Sequence, residues 1–147
     1  MFLCSPNNPT GNSYRKEDVE QVVTKHNGLV LLDEAYVEFG DYSLVPLIDK
    51  CPNLAVIRTF SKAFGVVGGH VSGSRDLINF ACNRSRTWLL SGSHPPAVAA
   101  ACIAAIDVLE SEPQHVRTLW DHTRYFKKAM KDLGFDIGNS QTPITPI

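Results

Sequence analysis

No apolar run in this 147-residue sequence reaches the length of a membrane-spanning helix. The longest, Ala97 to Ile106, covers ten residues, against the roughly 20 needed to cross a bilayer. Neither sign of charge dominates: 14 Lys and Arg stand against 15 Asp and Glu, a net charge of −1, with the signs interleaved. No basic face is left to follow a phosphate backbone or an anionic lipid surface, so neither nucleic acid nor membrane is expected as a partner. Four cysteines, Cys4, Cys51, Cys82 and Cys102, lack the paired spacing of a zinc or redox site. They suit reduced thiols, and the cytoplasm is the expected compartment. Internal repeats and low-complexity tracts are absent, and "MFLCSPNNPTG" lacks the charged start of a secretion signal. What is present, 44% hydrophobic and 20% charged residues, is the makeup of one globular domain with a sizeable core.

The apolar pattern alternates between two kinds of element. "FLCS" opens as a short strand and runs into the turn-rich "PNNPTGNS". "RKEDVEQVVTKH" gathers Val19, Val22 and Val23 on one face, an amphipathic helix that Gly28 is expected to stop. "LVLLDEAY" and "LAVIRTF" are continuous apolar runs, as expected of strands buried on both faces of a parallel sheet. "GGHVSGS" reads as a third, shorter strand of this kind. Helices are expected over Asp76 to Arg86, over the alanine-rich Pro96 to Leu109, and from Pro113 to about Leu133. The last would bury Val116, Leu119, Trp120, Tyr125, Phe126 and Leu133. This order implies an α/β fold with a mostly parallel sheet and flanking helices.

Ligands of such sheets sit beyond the carboxyl ends of the strands. Asn8, Asp33 and Lys62 each lie at or just past the end of a different strand, so the topology would bring an amide, a carboxylate and an amine to one crevice. Pyridoxal 5'-phosphate needs that set. Its aldehyde forms a Schiff base with a lysine amine, and the apolar "SKAFG" would keep Lys62 desolvated and nucleophilic. A carboxylate facing the ring nitrogen, here Asp33, keeps the ring an electron acceptor. Asn8 and Tyr36 are candidates for the phenolic oxygen, and Thr59, Ser61 and "GVVGG" for the phosphate. Each residue also has an ordinary use: a surface lysine, a turn, a capping carboxylate, a packing tyrosine. Their joint order favours the cofactor, and no metal site is expected.

The motifs "FLCSPNNPTG", "LVLLDEAYVEFG" and "NLAVIRTFSKAFG" resemble the large domain of fold type I pyridoxal-phosphate-dependent enzymes, the first 65 residues being most similar to histidinol-phosphate aminotransferases. That resemblance implies that Lys62 forms the linkage to the cofactor, Asp33 pairs with the pyridine nitrogen, and Asn8 and Tyr36 contact the phenolic oxygen. From "TFSKAFGVVGGHVSGS" onward, the chain is similar to α-oxoamine synthases, the group of glycine C-acetyltransferase and amino-oxononanoate synthase. Aminotransferases of the first kind carry a phosphate-binding arginine eight residues after the lysine, where this chain has His70. Histidine lacks the permanent, bidentate charge of a guanidinium, which leaves the phosphate to Thr59, Ser61 and hydroxyls of another subunit. Of the Ser-Thr pair that precedes "PPA" in the synthases, only Ser91 is kept, and Tyr36 stands where they carry histidine.

The resemblance implies a transferase acting on an amino acid or amine, of aminotransferase type, with acyl-CoA condensation as the alternative. It implies a homodimer. It also implies that residues 1–147 are part of a large domain, with 113–147 leading toward a small domain not included. A third reading follows from that incompleteness: an inactive unit that only folds against, or dimerises with, a complete partner.

Overall fold

A computed structural model describes residues 1–147. Four strands, β1 (Phe2–Cys4), β2 (Val30–Asp33), β3 (Leu54–Thr59) and β4 (Gly69–Gly73), form one sheet in the order β1-β2-β3-β4. The first three run parallel and β4 is antiparallel to β3. Helix α1 (Lys16–Lys25) links β1 to β2. After β4 come α2 (Arg75–Arg84), the single-turn α3 (Arg86–Leu89), α4 (Pro96–Ser111) and α5 (Gln114–Asp132). The mainly parallel α/β sheet with helices agrees with the sequence reading. None of the helices is long and apolar enough to cross a membrane.

The core lies on one face of the sheet. Val30 and Leu32 of β2 and Leu54 and Val56 of β3 point to the same side and meet Val19 and Val23 of α1. Two 3-10 segments between β2 and β3, Val37–Phe39 and Val45–Asp49, were not expected from the sequence; the second, with the residues flanking it, closes this core with Leu44, Leu47 and Cys51. At about 25 cal/mol per Å² of apolar surface, such aliphatic burial is the main drive for the layer.

Helix α1 ends at Lys25, short of Gly28, and the glycine is not what stops it. The side-chain amide of Asn53 donates to the carbonyls of Val23, His26 and Gly28 at 3.0, 3.0 and 3.2 Å. Carbonyls left open at a helix end need such partners. The helix expected over 76–86 breaks at Ser85 into α2 and α3.

The burial expected in the last helix is met only in part: Val116, Leu119 and Trp120 are half-buried. No residue of α4 is buried, and in α5 the buried residue is Thr123. Tyr125 and Leu133 are 78% and 75% exposed, and Phe126 is also exposed. Amphipathic spacing marks a face able to pack, and here no further layer of the chain covers it. What does lie against α5 is the segment after it. Ile137 and Thr142 are buried, and the segment reaches back to the first turn of the chain, where Gln141 N–H donates to the Gly11 carbonyl at 2.9 Å.

Candidate functional site

Strand alternation sorts the polar residues at the ends of β2 and β3 onto two sides. Glu34 continues the core side of Val30 and Leu32, and Arg58 continues that of Leu54 and Val56. Asp33 and Thr59 take the opposite side. The register aligns these ends along one edge: Cys4 beside Asp33, Asp33 beside Ile57, and Thr59 beside Gly69.

On the core side Glu34 is only 1% exposed, and its charge is fully answered. Its carboxylate accepts from the Leu44 N–H at 2.6 Å, the Ser43 hydroxyl at 2.9 Å and the Arg58 guanidinium at 2.8 and 3.1 Å. Arg58 also donates to the Ser43 hydroxyl at 2.6 Å. Two strand ends and the loop between them are thereby clamped. A forked guanidinium suits this better than a lysine ammonium would. Nearby, Glu38 has one buried carboxylate oxygen without a partner, and burial pushes its carboxyl up from the usual range.

On the other side stand the residues singled out from the sequence. Asp33 folds one oxygen back onto the Ala35 N–H at 2.9 Å, while the other receives only a distant Cys4 thiol at 3.9 Å. One oxygen therefore serves the turn, and the second has acceptor capacity to spare. Burial, then the Asp33 charge, raises the Cys4 thiol above its ordinary range, so it remains a neutral donor. The Asn8 side-chain amide donates to the Tyr36 hydroxyl at 2.8 Å. The Lys62 ammonium lies 5.5 Å from the centre of the Tyr36 ring, within reach of a cation–π attraction. The turn after β1, the residues after β2 and the turn after β3 thus meet around one phenol.

Thr59 and Ser61 share a hydroxyl contact of 2.7 Å, and Thr59 accepts from the Ser61 N–H at 3.2 Å and lies 3.1 Å from the Gly68 carbonyl, to which it can donate. Thr59 thus closes the loop from β3 to β4, leaving Ser61 the more open of the two hydroxyls. Gly68, at φ 126°, holds a conformation suited to glycine. His70 pairs with Arg58 across the strands, and its ring lies 5.5 Å from that of Phe60. Burial, then the Arg58 charge, holds its imidazole below the usual range.

The apolar pocket expected around Lys62 is absent from the structure, where the side chain is exposed. Its apolar neighbours pack on one another instead: the Phe60 and Phe64 rings lie 6.0 Å apart, edge to face. Asn8, Tyr36 and Lys62 are brought together, and Asp33, Thr59 and Ser61 lie along the same sheet edge; His70, expected beside them, instead shares the face of Arg58, its partner across the strands. Sequence reasoning missed the Glu34–Arg58–Ser43 clamp. The signal for it was there, since both charges extend the buried parity of their strands.

An α/β layer of this kind gathers an amine, an amide, a phenol and a carboxylate at its carboxyl edge. Residues 1–147 match the family described as aminotransferase class I and II, and the chain belongs to that family. It is similar to 8-amino-7-oxononanoate synthase 1 of Bacillus subtilis, with 38% identity over 143 residues, 93% of this chain and 36% of that protein. The 8-amino-7-oxononanoate synthase of Symbiobacterium thermophilum is 53% identical over 91 residues, 62% of this chain and 23% of that protein. An 8-amino-7-oxononanoate synthase/2-amino-3-ketobutyrate coenzyme A ligase of Thermus thermophilus is 45% identical over 96 residues, 65% of this chain and 24% of that protein. The chain thus spans between 23% and 36% of the length of these relatives. Among solved structures, histidinol-phosphate aminotransferase from Sinorhizobium meliloti, in complex with pyridoxal-5'-phosphate, superposes with a TM-score of 0.81 at 22% identity, covering 96% of this chain and 39% of that one. Serine palmitoyltransferase from S. paucimobilis gives 0.75 at 24% identity, covering 98% of this chain and 38% of that one. Both likenesses establish the fold.

Proposed function

We propose that this chain carries the cofactor-binding part of a pyridoxal-5'-phosphate-dependent transferase acting on an amino acid or amine. The observation that carries the reading is the meeting of Asn8, Tyr36 and Lys62 around one phenol, at the sheet edge that also bears Asp33. The donor set fits the group: an amine for its aldehyde, a carboxylate oxygen with spare capacity for its ring nitrogen, an amide and a phenol for its ring oxygen, and hydroxyls for its phosphate. Bound there, pyridoxal phosphate supplies an aldehyde for amine exchange and a ring that withdraws electrons from the substrate's Cα.

In this assignment the Lys62 amine would hold the cofactor and would move the proton at the substrate's Cα as base and then acid. Asp33 holds a proton at the ring nitrogen. Asn8 orients the Tyr36 hydroxyl, and the two donate toward the ring oxygen. Ser61, with Thr59 beside it, faces the phosphate; His70, paired with Arg58 across the strands, points to the other face of the sheet and takes no part in holding it.

Two outcomes branch from the Cα proton step. The curated relatives over this stretch are named as oxononanoate synthases, one also as a coenzyme A ligase, and they favour condensation with an acyl-CoA over transamination. The Asn8–Tyr36 pair is the observation on the side of transamination. Release of free thiol from an acyl-CoA and a small amino acid, without any keto acid, is the result expected for condensation. The same reading includes a cytoplasmic homodimer. The exposed apolar side chains of α3 and α4, Trp88 and Ile103 among them, support a second copy as their cover.

The test of the reading is to add pyridoxal phosphate, reduce with borohydride and map the adduct by mass spectrometry. Modification at Lys62 is expected. Modification confined to another lysine overturns the site, and no modified lysine supports an inert folding or dimerisation unit.

A further inference from the structure

Asn8 is exposed and sits on a turn rich in Asn, Pro and Gly. Two tiers of bonds hold this turn. Within it, the Asn7 N–H donates to the Asn12 carbonyl at 2.9 Å and the Gly11 N–H to the Asn7 carbonyl at 2.7 Å. From outside, residues 140–144 lie across it: the Gln141 N–H donates to the Gly11 carbonyl, and the Gln141 side-chain oxygen accepts from the Ser13 N–H, both at 2.9 Å. Gly11 is buried at φ 70°, and a Cβ there would run into the Ser140 side chain and the Ile144 carbonyl.

This strap is itself held by one cation. Lys127 of α5 donates to the Ser140 carbonyl at 3.0 Å, the Ser140 hydroxyl at 2.8 Å and the Thr142 carbonyl at 2.6 Å. Three acceptors use all three protons of an ammonium. None is a carboxylate, so the contact is directional and not a simple charge pair. Burial, then the neighbouring Lys131 charge, draws the Lys127 amine below its ordinary range, and Thr142 is fully buried.

We infer that Lys127 is a positioning residue for Asn8: by fixing Ser140 and Thr142 it sets the strap over Gly11, and through the turn the direction in which the Asn8 amide meets Tyr36. The inference rests on the proposed reading only in taking Asn8 as a cofactor contact.

Hydrogen exchange on the chain without cofactor tests the strap. In Lys127→Met and in Gln141→Ala, amides of residues 7–14 are expected to exchange about tenfold faster or more, while β2 and β3 keep wild-type rates. Lys131→Ala is expected to match the wild type. Pyridoxal phosphate affinity then tests the coupling in a double-mutant cycle: Lys127→Met is expected to weaken binding in the wild-type background and to add little in Asn8→Ala. Unchanged exchange in residues 7–14, an equal rise in β2 and β3, or additive effects in the cycle would overturn the inference. Failure of the wild type to bind pyridoxal phosphate would count against the proposed function alone, since the exchange measurement still decides whether Lys127 sets the turn.

Discussion

Glu34 and Glu38 lie four residues apart, yet burial treats them differently. Glu34 has a partner for each oxygen, whereas Glu38 has one oxygen buried without any. Glu34→Gln strands the Arg58 guanidinium, and a loss of about 3 kcal/mol is expected, the lower end for breaking a buried pair because Arg58 keeps some solvent contact. Glu38→Gln removes a charge that burial already disfavours, so its urea midpoint is expected to equal or exceed that of the wild type. A measured loss as large for Glu38 as for Glu34 would contradict this account. His70 gives a pH dependence of known sign. Its folded value lies below the ordinary one, so the unfolded chain holds more protons, and stability is full above about 6.5 and falls as pH drops toward the folded value. Arg58 across the strands is the charge that faces it. In His70→Asn, urea midpoints measured above and below that point are expected to lose this difference. At this scale Asn8, Tyr36 and Lys62 were legible because each follows the end of a strand pattern. The exposure of Lys62 was not, because a run of apolar neighbours does not reveal whether they pack around a lysine or on one another.

The strands were read within a residue, since short apolar runs bounded by turn residues leave few other assignments, except that the run taken as far as Tyr36 ends at Asp33. The helix bounds were read as closely, but what stops α1 was not legible, because a side chain distant in sequence supplies the partner of its last carbonyls. Asn53 is that side chain. Asn53→Ala leaves the carbonyls of Val23 and His26 at the end of α1, and of Gly28 beyond it, without this donor, and a loss of about 1 kcal/mol or more is expected by urea unfolding. Gly28→Ala, by contrast, is expected to cost less, because Gly28 does not adopt a positive φ. If the ranking were reversed, the glycine would after all be the stop signal. The 3-10 segments escaped notice for another reason: Leu44, Leu47 and Cys51 keep the i, i+3, i+7 spacing of a helical face, but that face is short and holds Pro46, and their shared contact with β2 and β3 makes them core.

Across the whole molecule the structure is uneven. One face of the sheet is closed by α1 and the residues between β2 and β3, while α3 and α4 leave Trp88, Leu90 and Ile103 at 62%, 81% and 62% exposure. The sequence marked α4 as alanine-rich but could not name what covers it. The site edge, in contrast, is assembled from three turns that the parallel register aligns, and that alignment supports Lys62, Tyr36, Asn8 and Asp33 acting on one ring. Because Lys62 is exposed, its truncation leaves the fold intact, and the most direct measurement is the visible absorption of the chain titrated with pyridoxal phosphate. A saturable new band is expected in the wild type, a displaced band in Asp33→Asn, and none in Lys62→Ala. An identical band in all three proteins would contradict the account.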